Sequence, residues 1–204
     1  SKHLIKKDLD KPKSNCAIFG IYSHPEASVM TYYGLHALQH RGQESAGIAV
    51  YNNGIKALKG MGLAHQALKQ EDIKNLKGEI GVGHVRYSTF GSSTIENAQP
   101  IVVSTNYGDI ALCHNGEIVN APKIMEELKK KGWAFITSTD SEIAVRLLAN
   151  DIANTGDPVR SLKNLMSILQ GAYSMTIMID NRVFAIRDPL GFRPLCVGRT
   201  KVGF

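Results

Sequence analysis

The chain has 204 residues, 43% of them hydrophobic, and a formal net charge of +6, which suits one domain with a sizeable core better than two small ones. Its three cysteines, Cys16, Cys113 and Cys196, stand far apart without a CxxC pair, which argues against a disulfide framework or a ribbon-type zinc site and for a reducing, cytoplasmic setting. No run approaches eighteen apolar residues, the first fifteen lack the apolar middle of a secretory signal, and their five Lys against two Asp carry half of the charge, so neither a membrane span nor a basic stripe for nucleic acid is expected.

After these fifteen residues, apolar runs of strand length alternate with longer helical patterns. The stretch 17–22, broken by Gly20, is read as the first strand. Over 25–39, Ala27, Met30, Tyr33 or Gly34, Ala37 and Leu38 recur at three- and four-residue steps and stop before Gly42, the periodicity of a helix face. Segments 45–51 and 55–61 flank Asn52-Asn53-Gly54, a sequence that tolerates positive φ and predicts a hairpin. Strands follow at 80–88, 100–104 and 109–114, the last two joined by a turn around 106–108. Asn120 is read as the cap of a helix with Pro122 in its first turn, lysines at 129–131 and Gly132 as its stop. Further helices are expected at 139–154 and 158–170, and closing strands at 173–179, 182–187 and 195–199. Many strands and a few amphipathic helices imply two sheets sandwiched between helical layers.

Taken alone, Cys16 reads as a core residue and Asn115-Gly116 as a type I′ turn. Four polar, glycine-rich clusters at predicted strand ends change the weighting: LQHRGQE at 38–44, GHVRYST at 83–89, CHNG at 113–116 and TSTDSE at 137–142. Strand ends are where a rigid scaffold presents functional groups. Cys113, next to His84 and His114 in these motifs, has no convincing metal-ligand spacing and is read, like His114, as structural.

Together with Cys16, the ordered set NCAIFG, LQHRGQESAGIAV, GHVRYSTFG, NAQPI, CHNGEIVNA, TSTDSE and DPLGFRPL resembles the glutamine-hydrolysing half of the amidophosphoribosyltransferases, from Cys16 to about Gly198. The resemblance implies an α+β fold, the four-layer αββα sandwich of the N-terminal-nucleophile hydrolases. Residues 1–15 would be a leader or propeptide, and 16–204 a type-2 glutamine amidotransferase domain. Cys16 is then the nucleophile, and its base is its own α-amine, which titrates near pKa ~8 and exists only once the leader is removed.

By the same resemblance, Arg41 holds the nucleophile and its loop in place. Arg86 clamps the substrate α-carboxylate, for which a guanidinium offers parallel donors. Asp140 accepts from the α-ammonium, Thr89 lines the pocket, and Asn115 and Gly116 form the oxyanion hole. The family usually has Gly where Ala17 stands. The sequence to Phe204 contains no acidic pair followed by a Gly- and Thr-rich phosphate loop.

The reading is therefore hydrolysis of L-glutamine to glutamate and ammonia through a thioester. The ammonia passes to phosphoribosyl pyrophosphate, giving phosphoribosylamine in de novo purine biosynthesis. Phosphoribosyl pyrophosphate, and any Mg2+, belong to a phosphoribosyltransferase domain missing from this sequence, so no cofactor is expected in this domain. Homo-oligomers are expected of the intact enzyme, and partners other than nucleic acid or membrane. The alternatives are the glutaminase domain of another class II amidotransferase, and a non-catalytic glutamine-sensing module if the leader is never removed.

Overall fold

The computed structural model describes residues 16–87 and 93–204. Residues 1–15, expected as a leader, and Thr89 lie outside the described residues. Two four-stranded antiparallel sheets form. The first has the order β1-β4-β2-β3 and is built from β1 (Ala17–Tyr22), β2 (Ser45–Tyr51), β3 (Ile55–Met61) and β4 (Ile80–Arg86). The second has the order β5-β6-β7-β8, from β5 (Ile101–Thr105), β6 (Gly108–Ile118), β7 (Gly171–Ile179) and β8 (Arg182–Arg187). The β2–β3 hairpin turns where expected, with positive φ at Asn53 (51°) and Gly54 (128°).

Successive side chains of a strand point to opposite faces, and the burial follows that alternation into three apolar layers. Ala17, Ile48, Val50 and Val85 pack with Leu35 beneath α1 (Ala27–Ala37), α2 (Ala64–Ala67) and α3 (Gln70–Asn75). Ile110, Leu112, Ile118, Met175 and Ile177 pack on the other outer face, against α5 (Asp140–Thr155), α6 (Pro158–Ile168) and α4 (Ala121–Lys130). Ala49, Ile80, Val82, Ala111, Cys113 and Met178 fill the seam between the sheets. The result is the expected four-layer αββα sandwich. Each large aliphatic side chain fully buried in it contributes about 1.5–3 kcal/mol.

Several local readings need correction. The expected helix 25–39 is shorter, and Gln39–Arg41 forms a separate 3₁₀ turn. The segments forming α2 and α3 are too short to show periodicity and were not anticipated as helices. Residues 195–199 open on an apolar run but form no strand, and Val197 is exposed. Asn120 occupies the N-cap position of α4 without capping it. Its amide instead donates to the Ile168 carbonyl (2.9 Å) and accepts from the Gln170 N–H (2.9 Å), tying α4 to the α6–β7 connection. The largest difference is β6, which does not stop at His114 but runs through Asn115 and Gly116 to Ile118. Asn115-Gly116 is therefore strand and not turn.

Candidate active site

The alternation that builds the seam also gathers the candidate residues at one end of it. In β4, Ile80 and Val82 face the second sheet, so His84 and Arg86 do too. Ala17 faces the helices and pairs with Val85, which turns Cys16 to the seam across from Arg86. The methyl of Ala17, 3% exposed, is thus packed away from the seam. In β6, Ala111 and Cys113 face the seam, so Asn115 does as well.

Cys16 is only partly exposed, and its Sγ lies 3.4 Å from the Tyr87 N–H and 3.5 Å from the Tyr87 carbonyl. Burial pushes the thiol pKa up; the Tyr87 bond and the Arg86 charge oppose this, while Glu44 and Asp140 add to it. Cys16 is accordingly a thiol that needs a base rather than a preformed thiolate. Arg41, at the end of the 3₁₀ turn, donates from Nε to the Cys16 carbonyl at 3.2 Å. That turn is pinned in its turn by Gln39, whose Oε1 accepts from the Ala64 N–H at 2.6 Å.

Arg86 is 4% exposed and ion-paired through Nη1 with Glu44, a residue that sequence reasoning did not single out. The other oxygen of Glu44 is buried without a partner among the described residues. Asp140 opens α5. Its Oδ2 accepts from the Ile118 N–H at 2.9 Å, and its Oδ1 lies 3.4 Å from His114 Nδ1. Burial pushes the Asp140 pKa up, but His114 and the bonds from Ile118 and Ser141 outweigh it, leaving the carboxyl below its ordinary value. It stays anionic, as a site for an ammonium requires.

Asn115 is 5% exposed, and its Oδ1 is buried without a partner among the described residues. Gly116 has φ +148°, and a Cβ there would lie 2.0 Å from the Ala172 carbonyl oxygen of β7. The glycine is needed first by the β6–β7 pairing itself. Cys113 is fully buried in the seam. Among the described residues no group of three or more His, Cys, Asp or Glu is placed to hold a metal, and no helix is long and apolar enough to cross a membrane. A cleft of about 520 Å³ opens at the opposite end of the sheets, between Tyr22, Tyr51, Asn53 and Asn181. None of the candidate residues lines it, and its chemistry is unlike theirs.

Comparison with known proteins decides the family. The model of the glutamine amidotransferase domain matches residues 84–204, more than half of the chain. The chain belongs to this family. The amidotransferase domain is 49% identical to an amidophosphoribosyltransferase of Methanocaldococcus jannaschii, over 90% of this chain and 40% of the relative. It is 46% identical to that of Archaeoglobus fulgidus, over 93% of this chain and 42% of the relative. The glutamine phosphoribosylpyrophosphate amidotransferase of B. subtilis, solved with ADP and GMP, superposes on it with a TM-score of 0.84. That match has 39% identity and covers 91% of this chain and 40% of that one. The chain spans about two fifths of the length of the curated relatives it matches. The fold is thus the N-terminal-nucleophile hydrolase sandwich expected from the motifs.

Proposed function

We propose that this amidotransferase domain hydrolyses L-glutamine to glutamate and ammonia, with Cys16 as nucleophile. The observation that carries the reading is the convergence of Cys16, Arg86 and Asn115 at one end of the seam, with Asp140 beside them at the start of α5. The thiol sulfur attacks the side-chain amide carbon, and the thiol proton passes to the free α-amine of Cys16 and then to the departing ammonia. Water opens the resulting γ-glutamyl thioester, giving glutamate and restoring the thiol. Arg41 steadies Cys16 through its carbonyl, while Arg86 and Asp140 take the two charges of the substrate backbone. Asn115 with the Gly116 N–H receives the oxyanion.

In the whole protein the ammonia goes to phosphoribosyl pyrophosphate and yields phosphoribosylamine, the committed product of purine synthesis. The likeness to amidophosphoribosyltransferases supports this assignment. The test joins intact mass to a glutaminase assay. The active species should begin at Cys16, and Cys16→Ala should abolish ammonia release. Full turnover by protein that retains residues 1–15 would refute the α-amine mechanism, and turnover by Cys16→Ala would refute the nucleophile.

A further inference from the structure

The second half of β6 poses a question of hydrogen-bond accounting. In a strand, the N–H and C=O of one residue point the same way in the sheet, and leaving such a group buried and unpaired costs about 1–3 kcal/mol. Odd-numbered residues of β6 turn these groups to β7, as the Asp109 carbonyl shows by accepting from the Asp180 N–H at 2.9 Å. Even-numbered residues turn to β5, which begins at Ile101, opposite Leu112. From His114 onward no strand lies on that side among the described residues.

Side chains take the strand's place. The His114 N–H donates to Gln99 Oε1 at 2.6 Å, and His84 Nε2 approaches the His114 carbonyl at 2.9 Å from across the seam. Further along, the Ile118 N–H goes to Asp140. By the same alternation the Gly116 N–H faces the open edge between them. Because a carbonyl only accepts, His84 must carry its proton on Nε2, and its Nδ1 is the bare, buried nitrogen, without a partner among the described residues. Burial holds the His84 pKa down to about 3, so this neutral donor persists over the working range of pH. Gln99 reaches further: its Nε2 donates to Ser141 Oγ at 3.0 Å, in the first turn of α5 beside Asp140.

We propose that His84 and Gln99 are positioning residues of the oxyanion hole. They stand in for the absent strand, fix the His114 peptide and so aim the Asn115 side-chain amide and the Gly116 N–H. The inference rests on the glutaminase reading above. It also separates the two residues, since the hydrogen bond of His84 goes to the oxyanion side, whereas Gln99 joins that side to the ammonium site.

The experiment uses the complete protein beginning at Cys16. His84→Leu keeps volume and removes the donor, whereas His84→Gln restores an amide N–H at similar reach. His84→Leu should lower kcat on the order of a hundredfold, the scale of a small misplacement at a reacting centre, with KM for glutamine unchanged. It should weaken glutamate γ-semialdehyde, whose adduct with Cys16 bears the oxyanion, by the same factor. His84→Gln should recover most of both, and Gln99→Leu should lower kcat and raise KM together. Wild-type kcat in His84→Leu, a kcat loss without loss of aldehyde affinity, or no recovery in His84→Gln would each overturn the proposal. If a melt shows His84→Leu unfolded, His84→Gln against the shorter His84→Asn decides: Gln should be the faster, and equal rates would overturn it. Wild-type protein that fails to turn over glutamine sinks the functional reading itself, whereas active wild type with indifferent variants sinks only this inference.

Discussion

Asn115 is the residue whose role is most sharply separable from folding. Among the described residues its side-chain amide makes no hydrogen bond that the strand requires, and its Oδ1 is buried without a partner, so truncation should leave β6 intact. In its proposed oxyanion role, Asn115→Ala should lower kcat by roughly 10²–10³ and leave KM nearly unchanged, because such a donor serves charge that develops only in the transition state. Steady-state kinetics beside a thermal melt checks this. Arg86→Ala and Asp140→Ala should behave oppositely, raising KM, since in the proposed pocket each removes a partner of a charge present in ground and transition states alike. Glu142, 2% exposed, offers a test of electrostatics. Burial pushes its pKa up, but bonds from the Ile136 and Thr137 N–H groups and from Arg146 outweigh this and hold it below the usual carboxylate value. A depressed folded-state pKa means stability that is fully present above the unfolded value of ~4.3 and lost as pH falls through the folded one. Glu142→Gln should therefore cost about 2 kcal/mol at neutral pH. In denaturant titrations that deficit should shrink below about pH 4.

At the level of elements, Gly116→Ala is the counterpart experiment. The left-handed side of φ costs a non-glycine residue about 1–3 kcal/mol, and the added Cβ meets the Ala172 backbone at 2.0 Å. Loss of stability by chemical denaturation should accompany loss of kcat, unlike the Asn115 variant. The same strand shows where sequence reading succeeds and where it stops. β2, β3 and β8 have the expected bounds because alternation and a clear Asn-Asn-Gly turn mark them. The end of β6 was hidden because its partners are distant: β7 on one edge and, at His114 on the other, the side chains of Gln99 and His84, 15 and 30 residues away in sequence. No local periodicity records such partners. Asn120 misled for the same reason, since a residue fit to cap a helix was claimed by a tertiary contact. The motif residues Cys16, Arg41, Arg86, Asn115 and Asp140 were legible as a set, whereas Glu44 sat inside a quoted motif without a signal of its own.

At the scale of the whole molecule, each sheet buries its interior strands between helices on one face and the shared seam on the other. β2, β4, β6 and β7 are the interior strands. Their amides should be the slowest in the molecule to trade hydrogen for deuterium, opening only with global unfolding. The unpaired edge of β6 breaks that pattern at one point. The Gly116 amide, set between the satisfied amides of His114 and Ile118, should exchange fast within a slow strand. It should slow sharply when the aldehyde analogue supplies an oxygen to bind. Such a single-amide signal, read by NMR, would report the filling of the oxyanion hole without any turnover at all.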